Sequence, residues 1–200
     1  MLTKEELIEN YQKFDDEKIV ILAKNESKSL MEEVIPILEN EILKRNLDKK
    51  LIDWIKLERN FYKGFELETL KNKIKSSTCT ECQQQKDVIK GYHIHFRSFM
   101  DTTFDAKIIV CKSCGQKLRI QSYLKTATLG WLSLRGLLSV PIYFIGELFS
   151  SFSREKTSET IIESFIYNNT GLIREYGFDR IEDLIAESNK LQVIDETPTE

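Results

Sequence analysis

Four cysteines are the residues in this sequence best suited to chemistry, and they form two pairs of the type C-x-x-C. Cys79 and Cys82 lie in "CTEC", Cys111 and Cys114 lie in "CKSC", and 28 residues separate the two pairs. Two residues between ligands allow one tight turn to direct both thiolates at the same ion, and two such pairs complete a tetrahedral site. The spacing therefore predicts one structural zinc ion bound by all four cysteines.

Other roles for these cysteines are less consistent with the pattern. Iron at the same thiolates is one alternative, and redox or incidental cysteines are another, but a redox C-x-x-C normally occurs once, beside a βαβ pattern. Four cysteine ligands leave no coordination position for water, so the ion is expected to hold the fold rather than to catalyse a reaction. His93 and His95 are the only histidines. They are alternative ligands, although we expect both on the outward face of a strand.

Short strands between the two pairs are expected to position the cysteines. "YHIHF" alternates apolar and polar residues, and "AKIIVC" is a β-branched run that ends at Cys111. The insertion is long enough for two antiparallel strands, which is the layout of a zinc ribbon. Gly115 directly follows the second pair and suggests a turn with positive φ.

Helices are expected on both sides of this module. Thr3 and Glu6 form a capping-box pattern before an apolar stripe, and a later stripe is expected to kink near Pro36. Gly171 in "NNTG" is expected to end a helix as a left-handed cap. The fold class is therefore α+β and mostly α. The predicted division is a helical domain at 1–75, the zinc ribbon at 76–125, an apolar helix or helix pair at 126–153, C-terminal helices at 154–191, and a disordered polar tail at 192–200.

Charge is distributed unevenly along the chain, although the net charge is only -3. Residues 71–125 hold 11 basic and 4 acidic side chains, a net of +7, whereas both flanks are acidic. A positive surface attracts phosphate, and lysines and arginines interleave with aromatic residues in this stretch. Nucleic-acid binding is therefore an alternative function, with Lys112, Lys117 and Arg119 as the candidate contacts.

The stretch "TLGWLSLRGLLSVPIYFIGELFSSF" at 128–152 is the most apolar part of the sequence. It is long enough for a helix that crosses a bilayer, but Arg135 and Glu147 offset the apolar gains. Plotted as a helix, its large apolar side chains fall on one side, with small and polar residues opposite. The apolar face comprises Trp131, Leu134, Leu138, Ile142, Ile145 and Phe149.

Three placements of this apolar face stay open from the sequence. The first is burial in the protein's own core or in an interface with a second copy, which a one-sided helix favours. The second is contact with a membrane surface, for which the polar side lacks the usual lysines and arginines. The third is a true membrane span, which should be apolar all round.

The combination of "CTEC", "CKSCG" and "LGWLSLRGLLSVP" resembles a loose group of bacterial proteins in which a four-cysteine ribbon precedes an apolar Gly-Trp segment. The N-terminal "YQKFDDEKIVILAKN" with "LENEILKRNL" is similar to the helical unit found ahead of such ribbons. The similarity covers about residues 5–150. It implies zinc at the four cysteines and adds no reaction.

Enzyme signatures such as H-E-x-x-H, G-x-S-x-G, a phosphate loop or a dinucleotide fingerprint do not occur in the sequence. We therefore predict a non-catalytic zinc-binding interaction or regulatory protein without a small-molecule substrate. A protein partner or a second copy is the expected partner, and a membrane surface or nucleic acid is the alternative. The acidic N-terminus does not resemble a signal peptide, which favours a cytoplasmic location, with attachment to the inner membrane as an alternative.

Overall fold

The computed structural model describes residues 3–85, 87–97, 103–129 and 154–194. These residues are mostly helical, with one two-stranded antiparallel sheet and the four cysteines clustered together, so the predicted α+β, mostly α class is confirmed. They divide into two compact units, which are described separately. The helical unit comprises Met1–Tyr62 and Asn169–Phe178, and the cysteine unit comprises Lys63–Asn168 and Asp179–Glu200.

The helical unit begins with four α-helices, whose bounds are α1 Lys4–Lys13, α2 Asp16–Ile21, α3 Ile35–Lys44 and α4 Lys50–Arg59. A π-helical turn and a 3-10 turn follow α2 at Leu22–Glu26 and Ser27–Ser29. The predicted capping box is present, since Thr3 and Glu6 exchange backbone-to-side-chain hydrogen bonds of 2.7 and 3.2 Å. Ile19, Leu38 and Ile55 are fully buried in its core.

Pro36 does not kink a helix, which corrects the expectation from the sequence. It lies in the first turn of α3, where a proline has no backbone partner to lose.

Arg45, which follows α3, links this helix to α1. Its guanidinium donates to the backbone oxygens of Tyr11, Gln12 and Phe14 at 2.6–3.2 Å, and thereby caps the end of α1.

Helix α8, Thr170–Tyr176, belongs to the helical unit because it packs against α4. Gly171 is helical here, so it does not form the predicted left-handed cap. The positive φ of 72° lies at Gly177 instead. A Cβ at Gly171 would collide with the carboxylate of Glu58, which is buried and pairs with Lys28 at 2.7 Å. Close packing against α4 therefore explains this glycine.

The cysteine unit is built on a β-hairpin flanked by helices. Its elements are α5 Gly64–Lys75, β1 Ile89–Arg97, β2 Thr103–Cys111, α6 Lys112–Leu129, α7 Arg154–Asn168 and α9 Ile181–Ile194. The antiparallel register pairs Ile89 with Cys111 and Gly91 with Ile109. Helices α6 and α7 pack mainly against β1, and α9 packs against β2.

Buried polar side chains cover both edges of the hairpin at the same level. Gly91 donates its N–H to the hydroxyl of Ser158 on α7 at 3.0 Å. On the other edge, Ile109 donates its N–H to the amide oxygen of Asn189 on α9 at 2.9 Å. A two-stranded sheet leaves such groups unpaired, so the two helices replace the missing neighbouring strands.

Helix α5 belongs to the cysteine unit because it is tied to α7 by ion pairs. The buried Lys71 ammonium lies 2.8–2.9 Å from carboxylate oxygens of Glu68, Glu159 and Glu163. The grouping thus differs from the division predicted from the sequence, which placed α5 in the N-terminal domain and the C-terminal helices together. Long-range packing, which no local pattern records, produces the difference.

Candidate metal centre

The sulfurs of Cys79, Cys82, Cys111 and Cys114 all lie within 4.8 Å of one another. Those of Cys82 and Cys111 are 3.8 Å apart, which is far too long for a disulfide. In a tetrahedral four-thiolate site with metal–sulfur bonds of about 2.3 Å, neighbouring sulfurs are about 3.8 Å apart. The donor atoms, their number and this separation therefore fit a single metal ion.

The first pair is held by a tight turn between α5 and β1. Gln83 donates its N–H to the carbonyl of Cys79 at 2.8 Å, and Cys79 donates its own to the carbonyl of Gln84 at 3.1 Å. Gln83 has a φ of 53°, in the left-handed region. The positive φ that such a turn demands therefore follows the first pair, not the second.

The second pair joins a strand to a helix rather than lying in a second turn. Cys111 is the last residue of β2, and Cys114 lies in the first turn of the 18-residue α6. The N-terminus of a helix favours negative charge because its free N–H groups point outward. Here the N–H of Cys114 points at the sulfur of Cys111, 3.5 Å away. The helix thus helps the site to hold thiolates.

Gly115 has a packing reason instead of the positive φ expected from the sequence. It is buried within α6, directly under the ring of Tyr92 on β1. A Cβ there would stand 2.5 Å from Tyr92 Cδ2 and closer still to two further ring atoms. The absence of a side chain lets the first turn of α6 approach the hairpin, and this approach brings Cys114 to the other sulfurs.

The environments of the four thiols differ. Burial raises the pKa of Cys79, but the backbone N–H groups of Cys111, Cys82 and Glu81 point at its sulfur and together lower it to about 7. The N–H of Cys111 lies 3.3 Å from that sulfur. Burial raises the pKa of Cys111 and of Cys114. The backbone N–H groups around Cys79 therefore favour the thiolate form of this residue.

The predicted nucleic-acid contacts lie on α6, with Lys112 between the two cysteines of the second pair and Lys117 and Arg119 after them. Lys112 and Lys117 are exposed, whereas Arg119 is half-buried and donates to the hydroxyl of Tyr123 at 2.7 Å. Tyr92, one of the aromatic residues that interleave with the basic side chains of this stretch, is covered by α6 at Gly115. Within the described part of the chain, the structure therefore leaves the two lysines as the accessible candidates.

The predicted apolar face at 128–152 lies outside the described residues, with Trp131, Leu134, Leu138, Ile142, Ile145 and Phe149 all in the gap between 129 and 154. Its placement stays a prediction. Among the helices that the structure does describe, none combines the length and apolarity required to cross a bilayer.

His93 lies on the outward face of the hairpin, as predicted, where it pairs with Asp105. It takes no part in the described metal-ligand cluster, which contains cysteines alone. No pattern in the sequence indicates two residues that support the cluster, Glu182 and Asn189, because they lie about 100 residues along the chain from their partners.

Comparisons of this chain with protein-family models, with curated proteins and with solved structures found no match.

Proposed function

We propose that this protein is a non-catalytic zinc protein in which the four-cysteine centre stabilises the cysteine unit, and that this unit serves protein interaction or regulation. The single observation that carries the proposal is the cluster of four sulfurs within 4.8 Å of one another. It joins a tight turn, the last residue of a strand and the first turn of a helix. A metal ion there substitutes for part of a hydrophobic core.

Zinc is the metal that the site favours. Four thiolates with tetrahedral spacing are the ligand set of structural zinc sites, and the ion has no redox requirement that the protein would have to meet. Because four cysteines complete the coordination, no position remains for water or substrate. The metal would therefore contribute folding free energy and no reaction.

The exposed face of α6 supports an interaction role. This helix buries small residues, Gly115 and Ser122, against the rest of the unit, while Ile120 and Leu124 stay 58% and 60% exposed. The two apolar side chains are one helical turn apart and therefore adjacent on the surface. Adjacent exposed apolar side chains on a helix are candidates for contact with a partner.

A protein partner or a second copy of the chain is the partner that we propose. The described part of α6 reaches Leu129, where the sequence enters the apolar stretch at 128–152. A membrane surface is the alternative partner for the exposed face of α6, and an experiment must distinguish it from a protein.

The test compares the wild-type protein with an Ile120→Asp/Leu124→Asp variant in detergent-free buffer. The proposal predicts a soluble oligomer or complex in light scattering, which the variant dissociates without losing bound metal. Met31→Asp/Leu43→Asp is the matched control, since both residues are exposed apolar side chains of the helical unit. Unchanged size in the α6 variant, or wild-type protein released only by detergent, would contradict a soluble partner on this face.

Nucleic acid is a second candidate partner, favoured by the exposed Lys112 and Lys117 on the first turns of α6. Binding through phosphate contacts weakens steeply as salt rises. A Lys112→Glu/Lys117→Glu variant should then lose binding to a single-stranded oligonucleotide at low salt, while Ile120→Asp/Leu124→Asp retains it. Wild-type protein that fails to bind at low salt would exclude this candidate.

A further inference from the structure

Asn189 on α9 is a buried amide, 6% exposed, that uses both of its N–H donors and its oxygen within the cysteine unit. Its oxygen accepts the N–H of Ile109 at 2.9 Å. Its nitrogen donates to the carbonyl of Ile109 at 3.0 Å and to the hydroxyl of Thr80 at 3.3 Å. A side-chain amide has two donors, so both are satisfied.

The partners of Asn189 lie next to metal ligands in both pairs. Thr80 directly follows Cys79, and Ile109 lies two residues before Cys111 on β2. One side chain therefore ties together the turn that carries the first pair and the strand that delivers the second. Asn189 therefore joins the two segments within two residues of Cys79 and Cys111.

Glu182, at the start of the same helix, holds the other side of Cys79. Its carboxylate accepts the N–H of Thr78 at 2.8 Å. The residues before and after Cys79 are thus both bonded to α9, while Cys79 itself is fully buried.

We propose that α9 is a clasp for the metal centre, and that Asn189 and Glu182 are positioning residues that slow metal release. The inference rests on the proposed metal-binding function. Outer hydrogen bonds that orient metal ligands typically change metal affinity about 10- to 100-fold. With both residues in place, Cys79 and Cys111 must move together with α9 before the cluster can open.

Ser158 provides a matched control for a purely structural role. Its hydroxyl, 4% exposed, accepts the N–H of Gly91 at 3.0 Å, and Gly91 is the residue paired with Ile109 across the hairpin. Ser158→Ala therefore removes a buried hydrogen bond at the same level of the same sheet, on the opposite edge from Asn189. It does so without touching the turn that carries the first cysteine pair.

The experiment loads the full-length protein with zinc and measures the rate at which a chromophoric chelator captures it. We expect Asn189→Leu to release zinc about 10- to 100-fold faster than wild type, and Ser158→Ala to differ by no more than about twofold. In cobalt-loaded protein, Asn189→Leu should shift the thiolate-to-cobalt absorption bands, and Ser158→Ala should not. Equal rates and spectra for the two variants would overturn the proposal.

Glu182→Ala tests the same clasp at an exposed position, and so covers the case in which Asn189→Leu fails to fold. The loss of one hydrogen bond next to Cys79 should speed zinc release about fivefold. An unchanged rate would count against the clasp. If the wild-type protein binds one zinc ion and neither variant alters its release, the inference fails while the proposed function stands; a wild-type protein without affinity for zinc removes the proposed function itself.

Discussion

Replacing Gly115 with alanine should destabilise the cysteine unit, although the same change stabilises an ordinary helix. Alanine inside a helix is favoured over glycine by up to about 1 kcal/mol. At Gly115, however, the new Cβ would stand 2.5 Å from Tyr92 Cδ2, whereas ordinary contacts are 3.4–4 Å. The ring or the first turn of α6 must therefore move by about 1 Å.

The size of the effect follows from these two opposing terms. Inserting a methyl group into a well-packed contact costs about 1–3 kcal/mol. Subtracting a helix-propensity gain of about 1 kcal/mol leaves a net loss of up to about 2 kcal/mol. Movement of α6 also displaces Cys114, which is the preceding residue. We therefore expect weaker metal binding together with the loss of stability.

The change in unfolding free energy is measured by denaturant unfolding of the metal-loaded protein, with hydrogen exchange as the probe of the cysteine unit. Gln116→Ala is the control, because Gln116 is exposed on the same helix. In a Tyr92→Ala background, Gly115→Ala should no longer lower the unfolding free energy, since the ring that the methyl group meets is absent. A Gly115→Ala protein that is about 1 kcal/mol more stable than wild type, as helix propensity alone predicts, would refute the packing argument.

Three further predictions concern polar contacts in the two units. Lys71→Met should lower the unfolding free energy of the cysteine unit by about 1–2 kcal/mol. The loss is moderate because Lys71 is buried but water still reaches its three carboxylate partners. Denaturant unfolding measures it, and Lys73→Met, on the exposed side of α5, is the control. Burial raises the pKa of Glu159, but Lys75 and Lys71 together hold it below its usual value, so its contribution to stability is present above about pH 4.5 and is lost as the pH falls further. The stability difference between wild type and Glu159→Gln should therefore shrink as the pH falls below about 4.5, and a constant difference would contradict the ion pair. Gly171→Ala should destabilise the helical unit by up to about 2 kcal/mol, because the collision with Glu58 outweighs the gain in helix propensity. Thermal unfolding measures the change, and a gain in stability would contradict the packing argument.

Features encoded locally were predictable from the sequence. The Thr3–Glu6 capping box, the two strands and the outward face of His93 depend on residues within a few positions of one another, and the structure contains them. The four cysteines were also predictable as a set, because each C-x-x-C pair already places two ligands at close spacing in the sequence.

Features that depend on distant packing were not predictable in this way. Gly115 and Gly171 look like turn residues in the sequence, yet each is helical and makes room for a side chain from another element, Tyr92 and Glu58 respectively. Asn189 is one polar residue among many on an amphipathic helix. Only the fold shows that its amide meets Ile109.

Elemental analysis combined with native mass spectrometry tests whether the four cysteines hold one zinc ion. Protein purified under reducing conditions should carry one zinc ion per chain. Cys79→Ser should lose that ion and leave the cysteine unit open to protease, while the helical unit stays protected. Wild-type protein without bound metal, with iron in place of zinc, or with full zinc in Cys79→Ser would contradict the assignment.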